Sequence, residues 1–349
     1  MRAQRTTAVL TIVLFVAGWA LAQQPMASPL PAINAAQARP DGVAAGLDGP
    51  GTAVAYSEAT GILLAACEKG TMQAWDKDVV LGIRSGDTPP DRRNGHKGQV
   101  LALTFTGNLV ASGGSDGKVM IWDLSGDKAL FTLDGGGLVR GLAAAPGGKV
   151  LASAGDDQIV HLWDPQTGKE TQKLTGATDW LMAVAFSADG KTVVAGGFDG
   201  RLRMWDVATG KKGFDLDTRP PPPPNTPAPP TNVVSAVAFS PDGKLIAVGG
   251  SDTQVHLFQA SDGKYVRSLP GHTSTVTGLA FHPDGALLVS ASKDRTLRLW
   301  NPANGQLLKA LEGHNAWVQG VTFVAHGTRL ASVGADNTVR LWDLTEPKK

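Results

Sequence analysis

The chain has 349 residues, including 43 glycines and 22 prolines. Together these make up nearly a fifth of the sequence, against about 12% in average usage, which excludes a mainly helical protein because both residues interrupt helices. The 32 lysines and arginines are balanced by 31 acidic residues, and the single cysteine is Cys67. This composition argues against a basic surface for nucleic acid, and it excludes an intramolecular disulfide and a cysteine-based metal cluster.

The N-terminus has the pattern of a secretory signal peptide. Arg2 and Arg5 precede an apolar run at residues 8–17, and Ala-Leu-Ala at residues 20–22 then provides the small-x-small pattern that a signal peptidase cleaves. We therefore expect residues 1–22 to direct export to the periplasm or out of the cell and then to be removed. The alternative is an uncleaved N-terminal anchor, although the apolar stretch is shorter than the roughly 20 residues that a spanning helix needs.

The remaining chain divides into a spacer and a long repetitive region. Residues 23–42 are rich in proline and alanine without hydrophobic periodicity, so we expect a flexible spacer there. Residues 43–345 contain seven copies of one unit, and each unit has a short apolar run that ends in Trp-Asp or a near variant. The seven pairs are Trp75-Asp76, Trp122-Asp123, Trp163-Asp164, Trp205-Asp206, Phe258-Gln259, Trp300-Asn301 and Trp342-Asp343.

The spacing inside and between the units indicates short strands rather than helices. Successive pairs lie 41 to 53 residues apart, and each unit holds about four short β-rich runs. An aspartate stands six residues before the closing aromatic residue in six units, and Lys69 takes its place in the first. A period of this length with no helical pattern is typical of propeller blades.

These repeats resemble the WD-repeat family of β-propellers over about residues 43–345. The resemblance implies an all-β fold with seven blades, and together with the predicted signal peptide it indicates an exported, bacterial-type member of the family. Family repeats build the blades, however, and specify little about what the protein binds.

Two features of the sequence predict that the ring closes. The residue three before the last apolar position of each first strand is always small, which is expected where the innermost strands converge on a central channel. These seven residues are Ala53, Ala102, Gly141, Ala183, Ala236, Gly278 and Gly320. The last unit has no fourth run, and because an unpaired sheet edge is unfavourable we expect residues 43–47 to supply that strand.

Three units carry histidine, serine, aspartate and tryptophan at matching positions. The sets are His96/Ser112/Asp116/Trp122, His272/Ser290/Asp294/Trp300 and His314/Ser332/Asp336/Trp342. Serine, histidine and aspartate together also occur in hydrolases. The resemblance implies instead that each set forms a buried structural hydrogen-bond chain, and three equivalent copies suit a repeated blade better than one active site. His161 and His256 precede the closing aromatic residue by two, and we expect them on the surface or between blades. We predict no catalytic residue, metal or cofactor.

A partner site is expected on the rim where the inner strands begin. Trp180 and Trp317 occupy this position in the fourth and seventh units, and exposed tryptophan is a favoured interface residue. The alternative is that each packs against a neighbouring blade. We predict enlarged connections on the same rim at residues 84–95, which include Arg92 and Arg93, and at the proline-rich residues 219–230.

The sequence therefore predicts an exported, non-enzymatic scaffold that binds one or more proteins, with no nucleic acid ligand and no membrane segment after signal cleavage. One alternative is an extracytoplasmic propeller enzyme, a hydrolase or lyase acting at the channel mouth. Another is a binder of glycans or small ligands that uses the two tryptophans as stacking platforms.

Overall fold

The computed structural model describes residues 34–44, 47–75, 91–125, 128–219 and 232–345. Among these residues no helix is long and apolar enough to cross a membrane. The predicted signal peptide, residues 23–33 of the spacer, residues 84–90 and the prolines at 220–230 lie outside the described residues.

The described residues form 28 strands in seven antiparallel sheets of four strands each. We number the sheets as blades in chain order and number the strands β1 to β28. Blade 1 contains β2 (Gly51–Ser57), β3 (Ile62–Cys67), β4 (Thr71–Trp75) and β5 (Asp91–Asn94); blade 2 contains β6 (Val100–Thr106), β7 (Leu109–Gly114), β8 (Lys118–Asp123) and β9 (Ala129–Asp134); blade 3 contains β10 (Val139–Ala144), β11 (Leu151–Gly155), β12 (Val160–Asp164) and β13 (Lys169–Leu174).

The other four blades repeat this order. Blade 4 contains β14 (Leu181–Phe186), β15 (Thr192–Gly197), β16 (Arg201–Asp206) and β17 (Lys212–Asp217); blade 5 contains β18 (Val234–Phe239), β19 (Leu245–Gly250), β20 (Val255–Gln259) and β21 (Tyr265–Leu269); blade 6 contains β22 (Val276–Phe281), β23 (Leu288–Ser292), β24 (Thr296–Trp300) and β25 (Leu307–Glu312); blade 7 contains β26 (Val318–Val324), β27 (Arg329–Gly334), β28 (Val339–Asp343) and β1 (Arg39–Ala44).

The seven blades close into a ring, which confirms the predicted seven-bladed propeller. The inner strand of each blade lies beside the inner strand of the next, and β26 of blade 7 lies beside β2 of blade 1. A cluster of buried hydrophobic side chains fills each of the seven spaces between neighbouring blades. Between blades 7 and 1, for example, Val333 and Leu341 share a cluster with Leu63 and Trp75. The core is therefore seven interfaces between sheets.

An N-terminal strand completes blade 7, but it lies earlier in the chain than the sequence predicted. The strand is β1, Arg39–Ala44, paired with β28, rather than residues 43–47. Arg39 bonds to Asp343 at 2.7 Å, and the backbone N–H of Asn34 donates to the carbonyl of Leu344 at 3.0 Å. The expectation of a flexible spacer was therefore wrong for residues 34–42, because these bonds and the burial of Ala38 attach the segment to the blade.

The small residues predicted in each first strand line the central channel, and each is the third residue of its strand. Their size is set by the neighbouring blade. A Cβ atom on Gly141 would lie 3.2 Å from the Cα of Ala183, from the carbonyl oxygen of Met182 and from the backbone nitrogen of Val184. Adjacent inner strands thus approach closely enough that only glycine or alanine fits between them.

Each inner strand also carries a β-bulge just before the small residue. The bulged residues are Thr52, Leu101, Arg140, Met182, Ser235, Thr277 and Gln319. The hydroxyls of Thr52, Ser235 and Thr277 each donate to the backbone carbonyl of the first residue in the next inner strand, at 2.5 Å. A β-bulge changes the direction in which a side chain points, and here three of the bulged side chains hydrogen-bond to the next blade.

Replacing Gly141 with valine tests the close approach of the inner strands. The branched side chain would force β10 away from β14, so we expect a loss of about 1–3 kcal/mol in the free energy of unfolding, measured by chemical denaturation. The control is Thr132→Val on the exposed face of β9, which should change that free energy by less than about 0.5 kcal/mol. Equal losses in both variants would contradict this account of the channel.

Candidate functional site

The two rims of the ring carry different connections between strands. The upper rim carries the connections that lead into each first strand and the turns between second and third strands. The lower rim carries the turns between first and second strands and between third and fourth strands. Trp180 and Trp317 directly precede β14 and β26, so both lie on the upper rim.

The three predicted sets of four residues form hydrogen-bond chains below the upper rim. In blade 6 the Nδ1 atom of His272 lies 2.7 Å from Asp294, its Nε2 atom lies 2.7 Å from the Ser290 hydroxyl, and the Trp300 indole N–H donates to the same hydroxyl at 2.8 Å. Blades 2 and 7 repeat this arrangement with distances of 2.8 to 3.1 Å. Because the carboxylate only accepts, Nδ1 carries a proton in each ring, and the serine hydroxyl lies within hydrogen-bond distance of Nε2.

These chains have the connectivity of a hydrolase triad but not its accessibility. Ser112, Ser290 and Ser332 are all 0% exposed, and each already accepts a tryptophan N–H. A substrate carbonyl cannot reach any of the three hydroxyls, so burial excludes them as nucleophiles.

The pKa shifts of the residues in these hydrogen-bond chains agree with a structural role for them. Burial would raise the pKa of Asp294, but hydrogen bonds from His272 and Thr296 outweigh it and hold the pKa well below its usual range. Burial lowers the pKa of His314, which keeps that ring neutral. The described residues contain no group of three or more His, Cys, Asp or Glu side chains that could hold a metal ion.

Blades 3, 4 and 5 lack the histidine that binds the aspartate in blades 2, 6 and 7, and another residue pairs with their aspartate instead. The residue two before the closing aromatic takes over: His161 bonds to Asp157 at 2.6 Å, Arg203 to Asp199 at 2.7 Å and His256 to Asp252 at 2.6 Å. All three side chains are buried. Of the two alternatives expected for His161 and His256, the surface is wrong, because both side chains are buried. His161 lies between blades, since it shares a cavity with Leu133 and Asp134 of blade 2.

His161 differs from the other buried histidines because both of its nitrogens face carboxylates. Nε2 meets Asp157 and Nδ1 meets Glu170, while the ring stacks on Trp163 with centroids 5.5 Å apart. Two acceptors require two N–H donors, which only the charged ring has. Burial would lower the pKa of His161, but the hydrogen bonds to Asp157 and Glu170 raise it above its ordinary value.

The upper end of the channel opens into a cavity of about 420 Å³. All seven bulged residues line it, and residues of the upper-rim connections and turns complete the wall. These additional residues are Glu68, Gln99, Phe198, Val233, Ser251, Thr275 and Lys293. We call this cavity the channel mouth. Every blade contributes to the mouth, so the closed ring assembles one site from seven separate segments.

Trp180 stands beside the channel mouth in an aromatic group. Its ring packs edge-on against Phe198 with centroids 5.3 Å apart, and the guanidinium of Arg140 lies 5.4 Å from its ring centroid. Arg140 also bonds to Asp156 at 2.5 Å, so its charge is neutralised within blade 3. Trp180 nevertheless stays 41% exposed and Phe198 37% exposed.

Trp317 forms a second exposed group three blades away. The ammonium of Lys293, in blade 6, lies 4.8 Å from its ring centroid, and Trp317 remains 52% exposed. Both tryptophans thus contact a cation of the neighbouring blade without being covered by it. The two interpretations that the sequence left open, exposure and packing against a neighbour, each hold in part.

Arg92 and Arg93 do not lie in an upper-rim loop as predicted. Both belong to β5, the outer strand of blade 1, and pair with Gln73 and Met72 of β4. The prediction was wrong for these two residues because the fourth strand of blade 1 begins at Asp91, so that they lie within a strand. Residues 84–90 lie outside the described residues. Residues 219–230, in contrast, connect β17 to β18 and join strand ends at the upper rim.

Sequence reasoning missed Arg140, Phe198 and Lys293. Arg140 is a bulged residue, and the other two directly precede the aspartate position of their blades. Across the seven units the residues at these two positions vary widely, whereas the structural positions repeat. This variation was the signal in the sequence that could have identified the three residues, because binding residues of a rigid fold often lie at variable positions in its loops.

Comparisons with known proteins agree with the fold. The family model "WD domain, G-beta repeat" matches residues 88–123, 127–164, 168–206, 263–301 and 305–343, more than half of the chain, and "Anaphase-promoting complex subunit 4 WD40 domain" matches residues 225–275. The chain is 31% identical over 102 residues to small ribosomal subunit protein RACK1 of Caenorhabditis elegans, which covers 29% of this chain and 31% of that protein. It is 35% identical over 74 residues to cross-pathway control WD-repeat protein 2 of Flammulina velutipes, 21% of this chain and 24% of that protein. The match thus spans less than a third of each curated relative.

The two kinds of buried histidine should respond to pH in opposite directions. The folded-state pKa of His161 is raised above 6.5, so its contribution to stability is complete below that pH and is lost as pH rises through the folded value. The folded-state pKa of His314 is lowered, so its contribution is present above pH 6.5 and is lost as pH falls. His161→Gln should therefore destabilise the fold more at about pH 5.5 than at about pH 9, and His314→Gln the reverse.

Chemical denaturation of both variants and the unaltered chain at the two pH values provides the measurement. Each histidine variant serves as the control for the other, since both remove a buried imidazole. Differences that are the same at both pH values would contradict the assigned charge states.

Proposed function

The chain belongs to the WD-repeat family of β-propellers, and from this premise we propose that it is a non-enzymatic scaffold whose upper rim binds a protein partner. The site comprises Trp180 with Phe198, Trp317 with Lys293, and the channel mouth between them. Rigid frames commonly carry their binding residues on the loops at one end.

The exposure of two tryptophans supports this proposal most directly. Among the described residues, the six tryptophans that close blades are 5% exposed or less, whereas Trp180 and Trp317 are 41% and 52% exposed. Leaving two large aromatic rings in water forfeits the stabilisation that burial would provide. Tryptophan is enriched among the residues that dominate binding energy at protein interfaces.

The burial of the three serine hydroxyls supports a binding role over catalysis. In each serine–histidine–aspartate set the hydroxyl is inaccessible and already hydrogen-bonded. The relative from Caenorhabditis elegans is named as a ribosomal subunit protein, and membership of an assembly is consistent with an interaction role for the shared fold. That protein's partners are not transferred to this chain.

Export is part of the proposal and rests on the sequence of residues 1–22. Their two arginines, short apolar run and Ala-Leu-Ala cleavage pattern are those of a signal peptide. The single cysteine is compatible with an oxidising compartment, since no pair of thiols is present to form an unwanted internal disulfide.

The variants Trp180→Ala and Trp317→Ala test the binding surface. A partner is first identified by affinity capture with the mature chain and mass spectrometry, and its affinity is then measured by titration. We expect each substitution to weaken binding about tenfold or more, because interface tryptophans are frequent anchors. Stability should change by about 1 kcal/mol or less, because about half of each removed side chain is already exposed to solvent.

Leu130→Ala provides the matched control. Leu130 is 51% exposed but lies on the outer strand β9, away from the channel mouth. This variant should bind the partner as tightly as the unaltered chain. A partner whose affinity is unchanged by both tryptophan variants would reject the upper rim as the interface.

Sequencing the N-terminus of the protein recovered from its native compartment tests export. We expect the mature chain to begin at Gln23 and to be found outside the cytoplasm. Replacing Ala20 and Ala22 with bulky residues should block processing and leave the chain attached to membranes. A cytoplasmic chain that retains Met1 would refute the proposal of export without affecting the proposed interface.

A further inference from the structure

The wall of the channel mouth is chemically asymmetric. On the side of blades 3 and 4, Met182 and Phe198 line the cavity and Trp180 extends the apolar surface onto the rim. On the side of blades 6 and 7, Lys293 and Gln319 line it, beside Trp317. Arg140 also lines the side of blades 3 and 4, but its charge is paired with Asp156. A ligand that spans the mouth therefore meets a mainly apolar surface at one end and, at the other, a cation that has no ion pair among the described residues.

Lys293 differs from Arg140 and Arg203, two other cations near the upper rim, in its contacts. Arg140 pairs with Asp156 at 2.5 Å, and Arg203 pairs with Asp199 at 2.7 Å. No ion pair joins Lys293 to any carboxylate of the described residues, and its contact is with the face of Trp317. That ring holds the ammonium at the edge of the cavity, where it can accept a charged ligand without first breaking an ion pair.

We propose that the channel mouth binds a peptide segment of the partner protein, with an aspartate or glutamate side chain on Lys293 and an apolar side chain on Trp180 and Phe198. This inference rests on the proposed function and specifies the chemistry of the partner. The cavity volume of about 420 Å³ equals that of about 14 water molecules at liquid density. It accommodates side chains inserted from a segment that lies across the rim.

The charges of the wall set the orientation of the segment. Glu68 of blade 1 is the one carboxylate among the described residues that line the cavity, and it lies on the far side of blade 7 from Lys293. It disfavours an acidic side chain near blade 1 and so directs that side chain towards blade 6. The hydroxyls of Thr52, Ser235 and Thr277 are already donated to backbone carbonyls. These three hydroxyls therefore have no free proton to donate to a ligand.

Synthetic peptides test this chemistry directly, whichever protein the partner is. The probes are fluorescein-labelled Gly/Ser peptides of about 12 residues, each with one phenylalanine and one aspartate at varied separations. Matched sets carry asparagine or lysine in place of the aspartate. Fluorescence anisotropy with the mature chain should show, at a preferred separation, binding about tenfold or more tighter for aspartate than for asparagine. The preference should weaken in high salt.

Variants of the wall assign the preference to its residues. Lys293→Gln should abolish the difference between aspartate and asparagine peptides, and Lys293→Glu should make the lysine peptide the preferred ligand. Phe198→Ala should weaken both the aspartate and the asparagine peptides, and Glu68→Gln should tighten binding of the aspartate peptide. The matched control is Lys244→Gln, which removes an exposed lysine from a lower-rim turn and should have no effect.

The outcomes separate this inference from the proposed function. If the unaltered chain shows no difference between aspartate and asparagine, or if Lys293→Gln retains it, the inference is overturned. The proposed function still stands in that case, provided that Trp180→Ala and Trp317→Ala weaken the partner. If a neutral oligosaccharide on a glycan array binds through Trp317 and no peptide binds, both the inference and the protein-binding function are overturned.

Discussion

The architecture depends on one pairing, that of β1 with β28. It joins parts of the chain that are far apart in sequence, with Arg39 and Asp343 separated by 304 residues. Without β1, blade 7 would end in an exposed edge and the buried surface between blades 6 and 7, which includes Ala35 and Ala38, would be incomplete. The channel mouth needs all seven blades, and this pairing completes the last of them.

Each blade of the closed ring contains positions that stabilise the fold and repeat from blade to blade, and other positions that vary. The small residues of the channel, the buried tryptophans and the aspartates of the upper turns repeat because each blade presents the same neighbours to the next. The bulged residues and those that precede the aspartate position vary more. All seven bulged residues line the mouth, and so do four residues of the other kind, Glu68, Phe198, Ser251 and Lys293. Variable side chains from every blade are thereby brought around one opening, which is how a repetitive sequence produces a single unrepeated site.

The repeat count, the four-stranded blades and the small channel residues could be predicted because seven copies of the same pattern reinforce one another. Features that occur only once in the chain could not be predicted in this way. The position of β1 depends on contacts of Asn34 and Arg39 with the end of the chain, which no repeat reveals. The burial of His161 follows from a histidine that is missing elsewhere in its blade, and the cations beside Trp180 and Trp317 come from adjacent blades that only the fold brings close.

The direction of β1 also determines on which face of the propeller the described chain begins. Asn34 lies beside Leu344 at the lower rim, and the chain rises from there along β28 to the upper rim. Asn34, where the described part of the chain begins, therefore lies on the face of the propeller opposite the channel mouth. A ligand bound at the mouth and the first described residue thus occupy opposite faces of the propeller.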